Sequence, residues 1–153
     1  MENNKDKNIP VIPTVGILVF KDGKVLLVCH KKGAGHLSGV WGLPAGRFEE
    51  DESAREVAIR ELREETGLVA EPEDMVEIPK EWCAVIERKD GPAKMPFKVF
   101  IASAYQGSIE ESSETDPKWI DINKIKEYNL LPNVYEAVQE GLRIIGNKEA
   151  EST

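Results

Sequence analysis

The chain has 153 residues, of which 41% are apolar and 31% charged, and its formal net charge is −8. This length suits one domain around one hydrophobic core, and the composition is that of a folded protein rather than a disordered one. An acidic surface repels nucleic acid, so we expect no nucleic-acid partner. We expect no membrane partner either, because no apolar run approaches the roughly 20 residues of a membrane helix.

Residues 1–10 are polar and lack the apolar region of a secretory signal, which predicts a flexible N-terminal segment and a cytoplasmic location. A single domain is expected over residues 11–146, followed by a polar tail over 147–153. Cys29 and Cys83 lie in apolar runs without the spacing of a zinc site, which favours two buried free thiols over a disulfide or a metal site.

Two apolar, β-branched runs near the N-terminus predict a hairpin, with strands at 11–20 and 25–29. Asp22-Gly23 lies between them, and this dipeptide strongly favours a hairpin turn. A glycine-containing loop is expected at 31–40, followed by a short extended segment at 41–46.

The first helix is predicted at about residues 52–66. Asp51 or Ser53 caps its start, and Ser53 would form a capping box with Glu56. Gly67 is a suitable C-terminal stop because glycine readily adopts the left-handed conformation found there.

The second half of the chain alternates strand-like runs with polar segments. Strands are expected at 75–78, 81–88 and 94–105, a polar acidic loop at 106–118, and a short strand or helix start at 119–122. A second helix is predicted at 133–145, with Asn133 as its N-cap. Strands on both sides of one helix and a second helix at the end indicate an α/β domain with a mixed β-sheet between helices.

The first predicted helix carries carboxylates where apolar residues are expected. At about 100° per residue, Glu61, Glu64 and Glu65 continue the apolar stripe that includes Val57 and Ala58. Like charges at this spacing repel, and a helix C-terminus disfavours negative charge. The carboxylates form either a solvated acidic helix end or a site for a hard divalent cation, and oxygen ligands favour Mg²⁺ or Mn²⁺.

The helix and its flanks contain the pattern Gly46-x5-Glu52-x7-Arg60-Glu61-Leu62-x-Glu64-Glu65-x-Gly67-Leu68. This pattern resembles the Nudix box at every defined position, a match with a chance of roughly 10⁻⁹ per start position. The segment 41–46 and the pair Trp119-Ile120 resemble the family as well. The resemblance implies an α/β/α sandwich and an enzyme that hydrolyses a phosphoanhydride bond in a nucleoside diphosphate linked to another group.

The resemblance also implies roles for individual residues. Family glutamates that match Glu61, Glu64 and Glu65 bind one or more Mg²⁺ ions, and the backbone carbonyl of Ala45 adds a ligand. Arg60 pairs with a box glutamate and orients it. Metal ions of this kind neutralise phosphate charge and activate the attacking water, so Glu64, Glu65 and Arg60 are the expected catalytic residues of the box.

In the family that the chain resembles, the general base comes either from the box or from an acidic loop, which here precedes Trp119. We assign it to Glu114, because residues 114–119 resemble the glutamate-bearing stretch of the MutT-type subfamily. The alternative for Glu114 is a solvated loop charge.

Three further residues are candidates for substrate contact, each with a structural alternative. Asn133 resembles the asparagine that reads the guanine base in the MutT type, or it is a plain N-cap. Trp41 stacks on the base or belongs to the core or a lid. Arg47 contacts phosphate or forms a surface salt bridge.

The expected substrate is a small-molecule nucleotide. A nucleoside triphosphate is favoured by elimination, and oxidised ones such as 8-oxo-dGTP are included. The proline typical of ADP-ribose hydrolases is missing near Ala84. The tyrosine typical of dinucleoside polyphosphate hydrolases is missing too, because none lies between Leu68 and Tyr105. ADP-ribose, another nucleotide sugar or a dinucleotide stays an alternative, as does a nucleotide-sensing Nudix domain without catalysis. Many family members dimerise, so a homodimer is also compatible with the resemblance.

Overall fold

The computed structural model describes residues 9–30 and 39–152, with side chains up to Gly146. The predicted flexible N-terminus and the predicted loop at 31–40 therefore lie largely outside the described residues. The strands are β1 (Thr14–Leu18), β2 (Phe20–Lys21), β3 (Lys24–His30), β4 (Trp41–Gly42), β5 (Ala45–Arg47), β6 (Met75–Ile86), β7 (Ala93–Ala102) and β8 (Thr115–Asp121). The helices are α1 (Ala54–Thr66) and α2 (Val134–Ser152), with short 3-10 helices at Pro72–Asp74 and Ile122–Glu127.

Within the described ranges the strands form two four-stranded sheets. The first has the order β5-β1-β7-β6 and is mixed, because β1 and β7 run parallel and the other neighbours run antiparallel. In the second sheet β3 pairs antiparallel with β2, β4 and β8. The β-structure between the helices is thus divided into a mixed sheet and an antiparallel sheet.

Alternating residues of β1 face opposite helices. Val15 and Ile17 pack in a buried cluster with the apolar face of α1, whereas Leu18 packs in a second cluster with α2. Each cluster closes one face of the β-structure, which confirms the expected α/β/α sandwich. None of the helices in the described part of the chain is long and apolar enough to cross a membrane.

The ends of α1 confirm the local sequence signals. The Ser53 hydroxyl accepts from the Glu56 amide at 3.2 Å, and the Glu56 carboxylate accepts from the Ser53 amide at 3.0 Å, which is the predicted capping box. At the other end Gly67 has φ 87° and donates its amide to the Arg63 carbonyl at 2.9 Å. The helix that carries the carboxylates is therefore fixed at both ends by its own sequence.

Several boundaries differ from the sequence-based expectation. The strand expected at 11–20 is divided into β1 and β2, which belong to different sheets, and the strand expected at 94–105 ends at Ala102. β8 begins at Thr115, inside the predicted acidic loop, because residues 115–121 pair along the whole of β3. β6 is one strand rather than two, with a register shift between Glu77 and Glu81. α2 continues to Ser152, so the polar residues after Gly146 extend the helix.

The predicted burial of both thiols is wrong. Cys83 is exposed and Cys29 half-buried, and both are free. In β6 the side chains of Trp82 and Ala84 face the interior, so Cys83 points to the opposite side of a strand at the sheet edge.

Gly141 allows α2 to approach the sheet closely. A Cβ at this position would lie 2.6 Å from Cδ1 of Leu18 and 3.1 Å from the ring of Phe20, and Leu18 is fully buried. We expect Gly141→Ala to lower the free energy of unfolding by about 1–2 kcal/mol in spite of the better helix propensity of alanine.

Gly146 in the same helix is the matched control, because a Cβ there would meet no atom within 4 Å. Gly146→Ala should raise the free energy of unfolding by about 0.5–1 kcal/mol. Urea denaturation followed by circular dichroism measures both variants. Stabilisation by Gly141→Ala would contradict the close packing.

Candidate active site

Arg60 joins the loop before α1 to the carboxylates of the helix. Its Nε and Nη2 donate to the two carboxylate oxygens of Glu52 at 2.7 and 2.8 Å, and Nη2 also donates to the Arg47 carbonyl at 2.9 Å. Nη1 lies 2.7 Å from Oε1 of Glu61 and 3.2 Å from Oε2 of Glu64. One guanidinium group therefore fixes the loop and two helix carboxylates relative to each other.

Arg60 stabilises the ionised forms of Glu52 and Glu61 to different extents. The hydrogen bond from Arg60 holds the pKa of Glu52 down to about 2, and the same bond raises the pKa of Arg60 itself. Burial raises the pKa of Glu61 and outweighs its bond to Arg60. Glu52 and Arg60 thus form the stable charged pair, while Glu61 retains an unmet need for positive charge.

Glu61 lies directly against the backbone of Gly46 in β5. A Cβ at residue 46 would overlap the carboxyl group of Glu61. Gly46 is held in place by its pairing with Val15 of β1. Glycine is therefore needed here for close approach, and this approach brings the helix carboxylates beside β5.

Glu65 is the most deeply buried of the three helix glutamates. Its Oε1 accepts the backbone amide of Ala45 at 2.6 Å. Burial raises the pKa of Glu65 to about 8; the Ala45 bond lowers it, and the charges of Glu61, Glu64 and Glu114 raise it further. A carboxyl group in this setting would be stabilised in its ionised form by a nearby cation.

Contacts connect the predicted metal residues in pairs. Glu61 and Glu64 share Arg60, and Glu65 accepts the amide of Ala45. The amide of Ala45 donates to Glu65, and this bond fixes the position of Ala45, whose carbonyl is the expected ligand. In ranges 9–30 and 39–152, no three acidic, histidine or cysteine side chains converge closely enough to form a complete metal cage.

Glu114 directly precedes β8, whose first residue Thr115 bonds the Glu65 carbonyl at the end of α1. Its side chain is exposed, and its charge contributes to the raised pKa of Glu65. The same charge acts on His30, although burial has the larger effect and lowers the pKa of His30. Glu114 is thus near enough to Glu65 for its charge to disfavour ionisation of that carboxyl group.

A cleft of about 260 Å³ opens beside β5. Gly46 and Arg47 of the box line it together with His30, and the rest of its wall is mainly apolar, with residues such as Leu43, Met95, Phe97 and Leu131. Such a cleft can hold a flat apolar group while an attached anionic group reaches the box.

The three predicted substrate residues lie in different settings. Arg47 lines the cleft, and its carbonyl accepts from Arg60. Asn133 directly precedes α2 with φ 70°, and its side-chain amide donates to the Cys83 carbonyl at 3.2 Å. Its side chain is therefore engaged with the edge of the first sheet, next to cleft residue Pro132.

Trp41 is not among the residues that line this cleft. Its ring packs edge-on against Tyr128, with ring centroids 5.5 Å apart. Backbone bonds to Asn129 and Leu131 fix this segment at the border of the core cluster around α2. Trp41 is thus half-buried against this cluster, and its stacking on a base stays a prediction.

His30 is a cleft residue that the sequence analysis did not select. The available signal was strand alternation: Leu26 of β3 packs with α1, so His30, four residues later, points to the same face. The hydroxyl of Thr115 was also missed, because its role depends on contacts between distant segments.

A family model described as NUDIX domain matches residues 10–140. The chain belongs to this family. It is 34% identical over 110 residues to a zebrafish (Danio rerio) protein named oxidized purine nucleoside triphosphate hydrolase, covering 71% of this chain and 65% of that protein. It is also 34% identical over 110 residues to phosphatase NudJ of Escherichia coli strain K12, covering 72% and 63%.

The match thus spans slightly less than two thirds of the length of these curated relatives. Among solved structures, the MutT protein from Methanosarcina mazei Go1 superimposes with a TM-score of 0.64 at 26% identity, covering 84% of this chain and 89% of that one. The Nudix fold expected from the box is therefore confirmed.

We expect Arg60→Lys to destabilise the protein, because an ammonium group cannot replace the fork that binds Glu52 and the Arg47 carbonyl together. The loss should be about 1–3 kcal/mol, the range for hydrogen bonds to charged groups. Guanidinium denaturation of the metal-free protein measures it.

The matched control is Arg63→Lys, at an exposed position of the same helix. It should change the free energy of unfolding by less than about 0.5 kcal/mol. Equal effects of the two substitutions would show that the contacts of Arg60 do not stabilise the fold.

Proposed function

We propose that this protein is a divalent-metal-dependent Nudix hydrolase that converts a nucleoside triphosphate and water into a nucleoside monophosphate and pyrophosphate. The observation that carries the proposal is Glu65: a half-buried carboxyl group, crowded by other carboxylates, beside a cleft of about 260 Å³. Such a group either takes up a proton, as its raised pKa allows, or is stabilised in its ionised form by a nearby cation. Family membership supports the same activity.

Glu61, Glu64 and Glu65 are the proposed metal ligands, together with the carbonyl of Ala45. Mg²⁺, or Mn²⁺ in its place, would supply charge neutralisation at the phosphate oxygens and lower the pKa of a bound water. All donors are oxygen atoms, which suits these hard ions. The net charge of −8 is compatible with an anionic substrate that meets a cation at the site.

The side chains around this site have separate proposed roles. Glu114 accepts the proton of the attacking water at a carboxylate oxygen, and Arg60 orients Glu61 through its 2.7 Å bond. Arg47 contacts a phosphate group at the mouth of the cleft. The apolar wall of the cleft holds the base by van der Waals contact.

The zebrafish relative is named for oxidised purine nucleoside triphosphates, which supports a triphosphate as the first substrate to test. A panel should contain normal and oxidised nucleoside triphosphates, ADP-ribose and dinucleoside polyphosphates, each with Mg²⁺ and with Mn²⁺. Product identification shows which phosphorus is attacked. A purified protein that cleaves none of these would contradict the proposal, and tight binding without cleavage would favour a nucleotide sensor. The homodimer and the cytoplasmic location stay predictions.

Removing the charge of Glu65 is the most direct test of the proposed metal site. Glu65→Gln keeps the size of the side chain and an oxygen that can accept the Ala45 amide, but it removes one negative charge from the proposed metal site. We expect turnover to fall at least about 10²-fold, and metal affinity to fall with it. The metal-free protein should keep its fold and become more stable, since repulsion with Glu61 and Glu64 decreases.

Two further substitutions separate the roles. Glu114→Gln should lower kcat while leaving Mn²⁺ affinity largely unchanged, because Glu114 is proposed as base and not as ligand. Glu110→Gln, in the same loop, should change neither quantity. Steady-state kinetics and Mn²⁺ titration monitored by electron paramagnetic resonance measure all three variants. Near-normal turnover of Glu65→Gln would exclude the metal assignment.

A further inference from the structure

Thr115 is a buried polar residue that connects the loop before β8 to the last turn of α1. Its hydroxyl donates to the backbone carbonyl of Glu65 at 2.9 Å, and its side chain is almost fully buried. A buried hydroxyl group that bonds a helix carbonyl removes an unsatisfied acceptor, which stabilises the helix end. In this molecule the carbonyl belongs to a proposed metal ligand, and the hydroxyl belongs to the residue after the proposed base.

Ser112 completes the connection on the other side of Glu114. Its hydroxyl lies 2.9 Å from that of Thr115, and it accepts the backbone amides of Glu114 at 3.2 Å and Thr115 at 3.0 Å. The Ser112 amide donates to the Thr115 carbonyl at 2.9 Å. These bonds close residues 112–115 into a tight turn, so the backbone of Glu114 has a defined position.

The same helix end holds the loop at a second point. The amide of Glu110 donates to the carbonyl of Thr66 at 2.8 Å. Residues 110–115 are therefore attached to the consecutive carbonyls of Glu65 and Thr66. Pairing of Thr115 with His30 in β3 fixes the strand that follows.

We propose that Thr115 is a positioning residue of this site, whose hydroxyl, with that of Ser112, holds Glu114 at a fixed place relative to Glu65. The Glu114 side chain is exposed, and the described hydrogen bonds involve its backbone and not its carboxylate. The direction of that carboxylate therefore depends on the turn from which it projects. This inference rests on the proposed function, because it assigns the turn a purpose in orienting the base.

The test uses Thr115→Val, which keeps the β-branched shape of the side chain and loses the hydroxyl. We expect kcat to fall at least about tenfold with KM within about twofold, because small misplacements of a catalytic group cost up to about 10²-fold in rate. Thr115→Ser should restore kcat to within about threefold of the wild type, since it returns the hydroxyl. Mn²⁺ affinity should stay within about threefold, because the Ala45 amide still holds the Glu65 carboxylate.

Ser112→Ala tests the same turn at a half-buried position where folding is less at risk, and exposed Ser113→Ala is its control. Ser112→Ala should lower kcat severalfold and Ser113→Ala should leave it unchanged. Hydrogen exchange of the Glu114 amide should accelerate in both Thr115→Val and Ser112→Ala, which reports the turn independently of activity.

A double-mutant cycle separates positioning from general stability. If Thr115 acts through Glu114, Thr115→Val should cost less than about twofold in kcat when Glu114 is already glutamine. An equal loss in both backgrounds, or a wild-type kcat for Thr115→Val, would overturn the inference. A wild type that cleaves nothing would instead overturn the proposed function and the catalytic purpose of the turn. The exchange rate of the Glu114 amide would then still show whether the Thr115 hydroxyl stabilises the turn at residues 112–115.

Discussion

The arrangement of this site depends on one guanidinium group placed among carboxylates. Arg60 binds both oxygens of Glu52 and reaches Glu61 and Glu64 on its own helix. Its bond to the Arg47 carbonyl attaches the same group to β5. Four negative side chains, Glu49 among them, can lie close together because this cation is fixed between them. The loop and α1 therefore form one unit.

Arg60 does not neutralise all of this negative charge, and the uncompensated carboxylate is Glu65. The helix C-terminus disfavours negative charge, yet Glu65 lies half-buried in the last turn of α1. One amide, from Ala45, offsets part of that cost. The carbonyls of the same turn are used to attach the loop before β8, through Thr115 and Glu110. The helix end thus combines an unmet requirement for positive charge with a rigid frame around it.

Local signals predicted α1 well, because its capping box and Gly67 act within a few residues of sequence. The spacing of Arg60, Glu61 and Glu64 also places them on one side of α1, where Arg60 bonds both carboxylates. The early start of β8 could not be predicted, because residues 115–118 become a strand only through pairing with β3. The packing of Trp41 could not be predicted for the same reason, because its ring contacts Tyr128, which lies 87 positions further along the chain.

The bond between Asn133 and the Cys83 carbonyl also bears on how the molecule behaves at high concentration. β6 is the last strand of its sheet, and a long edge strand can pair with a second molecule and begin aggregation. Here the register shift between Glu77 and Glu81 interrupts the strand, and the Asn133 amide occupies an acceptor beyond the interruption. The segment between them contains Pro79, which has no amide to donate, and Lys80, whose charge would have to be desolvated by a pairing strand. These features disfavour pairing of this edge with a second molecule.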